Sequence, residues 1–266
     1  MADISDALLV DRNLREAMSF YAGVNEESRI HSLPGVIAIF CGRNYPVFNI
    51  ALLETRRPGD LKTEINAATA HYRNLHSGFC FWMCHDLVEP RLLAEIRNTV
   101  FPGKGFFKLS EPPGMLLTGP PPSPKRKPSA LIFKKVEDAA SRVSFSHLTS
   151  VIFEIPFGIT QAMYASAAGW TEEYEGWIVF ENNTPVALAL IVFSPGAAGF
   201  YSIGVLPNLR KKGIGESTLR WCIKRAQQVQ GRDRFVLQSS DAGLPLYKRM
   251  GFKEVTRFSV FKSREN

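Results

Sequence analysis

Between Gly119 and Pro128 the chain reads Gly-Pro-Pro-Pro-Ser-Pro-Lys-Arg-Lys-Pro, and no other stretch limits the fold so strongly. Five prolines in ten residues remove amide donors and fix φ at each position, so neither a helix nor a central strand passes through. The segment from 119 to 130 therefore reads as an extended, semi-rigid connector. It divides the 266 residues into 1–118 and 131–266, each long enough for its own core. Lys125-Arg126-Lys127 reads as the solvated part of that connector rather than a targeting or nucleic-acid tract.

The apolar and charged fractions, 45% and 21%, are those of an ordinary soluble globular protein. The net charge of +7 fits a solvated surface or an anionic ligand. Basic residues are scattered rather than tracked along one helix, which argues against nucleic acid as a partner. Four cysteines, Cys41, Cys80, Cys84 and Cys222, make no disulfide framework and point to a reducing compartment. The opening Met-Ala-Asp-Ile-Ser-Asp is acidic where a signal peptide is basic and then apolar. No apolar run approaches the ~20 residues of a membrane span. The expectation is a cytoplasmic protein with no membrane partner.

In the first half, residues 4–21 carry an imperfect helical stripe of Ala7, Leu8, Leu14, Met18 and Tyr21. Pro34 to Cys41 and Pro46 to Glu54 read as strands joined by a hairpin at Gly42-Arg43-Asn44-Tyr45. Arg56-Arg57 reads as a solvated turn and Asp60 as an N-cap. Leu61, Ile65, Ala68, Tyr72 and Leu75 then fall at helical spacing. Phe79 to His85, apolar on both faces, reads as a central strand. A helix around Pro90 to Asn98 and closing strands at 105–109 and 115–118 complete a small α+β unit with a mixed sheet. His71, His76, Cys80, Cys84 and His85 lack the paired spacing of a zinc site, so no metal is expected. This half shows no phosphate loop and no nucleophile–base pair.

The second half restarts with a strand at 131–136 and helices over 137–153 and 156–168. Strands at 175–181 and 185–193 turn at Asn182-Asn183-Thr184. Then comes the chemistry: Phe200-Tyr-Ser-Ile-Gly-Val-Leu-Pro-Asn-Leu-Arg-Lys-Lys-Gly-Ile-Gly215. Pro207 ends a strand, Gly213 and Gly215 let the backbone approach a ligand, and the periodic run behind them supplies a helix N-terminus. Amide donors and three cations at a helix start make a phosphate site. A Rossmann reading fails because Thr218 stands at the third glycine position and no acidic residue ends the next strand. A P-loop fails because no Gly-Lys-Ser/Thr follows.

Val205-x-Pro207-x-x-Arg210-x-x-Gly213-x-Gly215, followed one strand–helix unit later by Tyr247-x-x-x-Gly251-Phe252, resembles the GCN5-related N-acetyltransferase (GNAT) superfamily. The resemblance covers 131–266, and more weakly the first half is similar to the motif-free N-terminal halves of two-domain members. It implies two tandem GNAT-like domains, each a mostly antiparallel twisted sheet flanked by helices, with 1–118 a degenerate copy lacking the cofactor motif. It implies acetyl-CoA as co-substrate, without a metal. The pantetheine arm would pair with backbone at Ile203, Gly204 and Val205. The pyrophosphate would lie on the amides of Lys211, Lys212, Gly213, Ile214, Gly215 and Glu216, with Arg210, Lys211 and Lys212 as cations. Ser240, where many relatives carry Asn, would touch the cofactor or cap the following helix.

The implied reaction is direct attack on the thioester by the primary amine of a small molecule or of a protein or peptide. The Val205 N–H would polarise the carbonyl, and Tyr247 stands at the family's general-acid position. The base is missing from its usual place, since the strand before Pro207 has no carboxylate. Glu172, Glu173, Glu175 and Asp241 are the nearest candidates. Two other classes stay open: a non-catalytic acyl-CoA-binding or interaction module, and a basic nucleic-acid binder with salt-dependent affinity.

Overall fold

The computed structural model describes residues 4–53, 61–124 and 130–264. The expected turn at Arg56-Arg57, the Asp60 cap and the Lys125-Arg126-Lys127 cluster lie outside them. In chain order come α1 (Ile4–Ser19), β1 (Arg29–Leu33), β2 (Val36–Phe40), β3 (Ile50–Leu53), α2 (Leu61–Asn74) and β4 (Cys80–Cys84). Next are α3 (Pro90–Glu95), a π turn (Ile96–Val100), α4 (Phe101–Gly103), β5 (Phe107–Ser110) and β6 (Pro113–Thr118). The second half adds β7 (Ile132–Lys135), α5 (Ala139–Phe153), α6 (Phe157–Tyr164), β8 (Tyr174–Glu181), β9 (Thr184–Ser194) and β10 (Ala197–Val205). It closes with α7 (Ile214–Gln230), β11 (Arg234–Gln238), α8 (Leu244–Arg249) and β12 (Lys253–Lys262).

Among the described residues all twelve strands join one sheet in the order β1-β2-β3-β4-β12-β6-β11-β10-β9-β8-β7, with β5 against β12. Neighbours are antiparallel except β3 with β4 and β10 with β11. The mixed α+β architecture matches the sequence expectation, but the chain boundary is not a boundary in the sheet. β6, expected to close the first half, lies between β11 and β12. The reason is the length of β12. Its start, Lys253 to Arg257, pairs with β6, and its end, Phe258 to Lys262, pairs with β4 of the first half.

The exchange runs the other way as well. Helix α1 does not cover its own half's strands alone; Leu9, Val10 and Leu14 share a core with Leu116, Ala197, Val236 and Phe258. Asn13 and an Asp6–Arg234 ion pair tie the same helix to β9 and β11. α2, α3 and α4 cover the first-half sheet through Ile65, Tyr72, Phe79, Phe81 and Phe101. In the second half, α7 covers one face through Leu219, Cys222, Ile223 and Ala226 against Phe235 and Leu237. α5 and α6 share the opposite side with Phe20 and Phe48 from the first half.

Local chemistry explains the helix limits. α5 starts one residue after Asp138, whose carboxylate accepts from the Ser141 N–H (2.7 Å), while Ser141 accepts from the Asp138 N–H (3.0 Å). α7 stops at Gly231 in the left-handed region, where its N–H reaches the Gln227 carbonyl. β1 was not anticipated from sequence. It is a mostly exposed edge strand, so burial imposes no apolar alternation on it.

Candidate active site

β10 and β11 run parallel for only two pairs, Ala198 with Phe235 and Gly199 with Val236. Beyond them β10 bulges between Tyr201 and Gly204, with Ser202 at a φ of 48°. A non-glycine residue in that region is strained, and a bulge bends its strand. β11 stays straight on β6 as far as Gln238 opposite Gly114. The two strands therefore part, and Ile203, Gly204 and Val205 form one lip of the opening.

The backbone of that lip has a defined polarity. Leu206 donates to the Val186 carbonyl of β9 (3.0 Å). Alternate residues of an antiparallel strand face opposite edges, so the groups of Val205 face away from β9. The Val205 carbonyl accepts from Arg210 Nε (3.2 Å), consistent with this polarity. Its N–H is thus directed to the parting, the geometry that polarising a bound carbonyl demands. By contrast, β3 and β4 stay paired over three consecutive positions, Ile50 to Leu52 with Cys80 to Trp82, and β3 carries no bulge in its pairs with β2 or β4.

After β10 the chain makes a short turn at Pro207–Leu209 and reaches the basic loop. Lys211 has a φ of 62° and Gly213 one of 91°. Gly213 is the N-cap of α7 and no side chain caps the helix. The amides of Ile214, Gly215 and Glu216 precede the first internal bond, Ser217 N–H to the Gly213 carbonyl (3.0 Å). Glu216, a carboxylate where an anion is expected, is neutralised by Arg220 one turn later at 2.9 Å. Lys211, Lys212 and Gly213 are exposed, and neither lysine has an ion-pair partner among the described residues. Ile214 is buried beneath the loop and anchors it to Val179 and Ala187.

Arg210 has a different use from its neighbours. Its guanidinium donates to the Val205 carbonyl and to the Ile152 carbonyl at the end of α5 (3.2 Å each). It clamps the lip of the cleft to α5. The two lysines are the cations that the structure leaves open to a phosphate.

Across the parting, Tyr247 lies on α8 with its ring edge-on to Phe252 (5.9 Å) and over Gly243. Burial, and then the nearby Cys222 thiol, push its hydroxyl up to about 12. It holds its proton throughout the neutral range. Ser240 organises the turn into α8: its carbonyl accepts from Leu244 N–H (3.0 Å) and its hydroxyl from Gly243 N–H (3.3 Å). The structure thus brings Ile203 to Val205 and Lys211 to Glu216 to one continuous edge, with Ser240 and Tyr247 on the unit that follows β11.

Glu175 stands apart from the other candidate bases. It is buried under α7, where Arg225 grips both carboxylate oxygens (2.7 and 3.0 Å) and Trp177 Nε1 donates to one. That carboxylate is a structural ion. Glu172, Glu173 and Asp241 are exposed, and Glu173 is hydrogen-bonded to Thr171.

Sequence reasoning missed three polar residues on the other face of the parting: Asn13, Tyr201 and Gln238. Asn13 is fully buried, donates to the Val192 carbonyl (3.0 Å) and Ser194 Oγ (2.8 Å), and accepts from the Tyr201 hydroxyl (2.8 Å). Gly199 has no Cβ because an added one would lie 1.7 Å from Asn13 Oδ1. The available signal was Asn13 itself, a polar residue set between Val10, Leu14 and Ala17 on the apolar face of α1.

The second half thus combines a sheet split by a bulge with a helix N-terminus that no side chain caps among the described residues. Residues 145–252 match the acetyltransferase (GNAT) family, so the second half of the chain carries a GNAT domain. The whole chain is similar to a GCN5-related N-acetyltransferase from Kribbella flavida, with a TM-score of 0.72 at 14% identity over 98% of this chain and 96% of that one. It is similar to a GCN5-related N-acetyltransferase from Sphaerobacter thermophilus, with a TM-score of 0.61 at 16% identity over 86% and 76% of the two chains. A tandem GNAT protein from the clavulanic acid biosynthesis pathway aligns over 96% of both chains with a TM-score of 0.58 at 10% identity. No curated protein matches the chain. At these identities the likeness is one of fold, and the fold is that of tandem GNAT proteins.

Proposed function

We propose that the protein is an acyl-CoA-dependent N-acetyltransferase that uses the second-half cleft, with the first half as a copy that holds no cofactor. The parting of β10 from β11 directly before the α7 N-terminus carries this reading. Ile203 to Val205 offer an unpaired strand edge to the pantetheine amides. The amides of Lys211 to Glu216, with Lys211 and Lys212, would hold the pyrophosphate. In the first half β3 and β4 stay paired from Ile50 to Leu52, and no equivalent gap occurs among the described residues.

In the reaction the amine lone pair attacks the thioester carbon, and the Val205 N–H stabilises the charge that develops on oxygen. The C–N bond forms, the C–S bond breaks, and the amine's surplus proton passes to water. Tyr247 donates a hydrogen bond to the departing sulfur. With its hydroxyl raised to about 12 it is a weaker acid than a free phenol, so it stabilises the thiolate more than it protonates it. Glu175 is locked to Arg225, which favours an amine that enters already neutral or loses its proton to solvent.

Thiol release from acetyl-CoA across a panel of small-molecule amines and peptides tests the proposal. Turnover with at least one amine is the expected result. Tight acetyl-CoA binding without turnover on any amine favours a binding module, a reading to which the absent base lends support.

A further inference from the structure

The bulge that parts β10 from β11 sets two residues, Ser202 and Ile203, against the single Ala189 of β9. Ser202 has a φ of 48°, a conformation that a residue with a Cβ adopts only against strain. A regular β10 would shed that strain, and its ladder with β11 would run on past Gly199 and Val236. An open strand edge invites that closure. The parted shape is therefore the one that needs support.

Arg210 holds the far end of the bulge by joining Val205 to α5. The near end is held from the first half of the chain, at two adjacent residues. Ahead of the bulge, the Tyr201 hydroxyl donates to Asn13 Oδ1 of α1 (2.8 Å), and Asn13 is fixed to β9 by its two donated bonds. Within the bulge, the Ser202 hydroxyl is hydrogen-bonded to the Tyr164 hydroxyl of α6. The Tyr164 hydroxyl in turn lies 3.2 Å from that of Tyr21, in the turn Phe20–Ala22 that follows α1. These three hydroxyls form a row from the strained residue to the first half. Packing fixes both phenols. The Tyr164 ring is buried against Phe145 (5.1 Å) and Phe20 (5.8 Å), and the Tyr21 ring lies on Phe48 (4.7 Å).

We infer that the first half positions the acyl-CoA cleft, holding the β10 bulge parted through the Tyr21–Tyr164–Ser202 row and the Asn13–Tyr201 bond. Tyr21, Tyr164 and Asn13 are positioning residues, which act on the ligand through the backbone of β10. A cleft that is parted only part of the time binds with an affinity reduced by the fraction parted. Breaking the row lowers that fraction and leaves the cofactor's own contacts intact. This inference rests on the acyl-CoA reading and gives the copy that holds no cofactor a task in it.

The test uses the full chain as wild type, Tyr164→Phe, Tyr21→Phe, Ser202→Ala and Ser202→Gly, with melting temperatures to identify any variant that fails to fold. Acetyl-CoA affinity, read by calorimetry, should fall by about tenfold in Tyr164→Phe and Ser202→Ala, the value of one hydrogen bond. Tyr21→Phe, which leaves the Ser202–Tyr164 bond in place, should show a smaller loss. Ser202→Gly lacks the same hydroxyl as Ser202→Ala but takes the left-handed conformation without strain, so it should bind within about twofold of wild type. Amide hydrogen exchange of the free protein gives a second readout. The Val205 N–H, directed into the parting, should exchange more slowly in Tyr164→Phe and Ser202→Ala than in wild type, because a closing edge pairs it with β11. A loss of packing alone would lower the melting temperature and speed that exchange. Unchanged or faster exchange at Val205 in both variants overturns the inference. So does an affinity that is unchanged in both, or lost equally in Ser202→Ala and Ser202→Gly. Failure of the wild type to bind acetyl-CoA would instead remove the acyl-CoA reading, and the exchange rates would still decide whether the row holds the parting.

Discussion

Gly213 and Gly215 stand two residues apart and serve different ends. Gly213 has a φ of 91° and an added Cβ would meet nothing within 4 Å, so its requirement is conformational. Gly213→Ala should cost about 1–2 kcal/mol of stability, the penalty of a left-handed L-residue, seen as a lower melting temperature. Gly215 is helical and its Cβ would sit 3.5 Å from Val205 Cγ2, an ordinary contact. Gly215→Ala should leave the melting temperature unchanged or higher by the helix-propensity gain, up to about 1 kcal/mol. It should still weaken acetyl-CoA binding in calorimetry, because the methyl lies where the pyrophosphate is proposed. Tyr247→Phe should lower kcat while acetyl-CoA affinity holds. With the phenol near 12, the wild-type rate should rise with the amine's own deprotonation and then stay level to about pH 10. A descending limb near pH 9 would assign a different acid. The turn at Gly213 and the helix start behind it were legible because their spacing is local. The carbonyl contacts of Arg210 were not legible, because one partner, Ile152, lies 58 residues away.

At the scale of elements, helices and central strands were readable where one face is buried, as in α2 with Leu61, Ile65, Ala68 and Tyr72. β1 was not, since periodicity records burial and β1 has little of it. That edge also carries a pH-sensitive contact. The His31 and His71 rings lie 4.4 Å apart between β1 and α2, with no hydrogen-bond partner at either Nε2 among the described residues. Burial, and then the charge on His31, hold His71 below its ordinary 6.5. A histidine harder to protonate when folded takes up protons on unfolding, so this contact is intact above pH 6.5 and weakens as the pH falls through that value. The melting temperature should therefore drop between pH 7.5 and 5.5, and His71→Asn should flatten the drop. An equal slope in the variant would place the sensitivity elsewhere.

Over the whole molecule, the proline-rich connector suggested two runs of elements and gave no sign of how they are shared. Periodicity tells which face of a strand is buried and is silent about its partner, so neither the place of β6 beside β11 nor the reach of β12 to β4 was visible. Calorimetric unfolding should accordingly show one transition, since either half alone lacks a strand or helix that the other supplies. Two resolved transitions would contradict this coupling. The same exchange governs how the protein comes into being. Translation makes β12 after every other strand of the sheet, so β4 stands with an open edge while all of the second half is being synthesised. Folding of the first half cannot finish in the order in which it is made, and the nascent chain must keep that edge from strangers until its own last strand arrives.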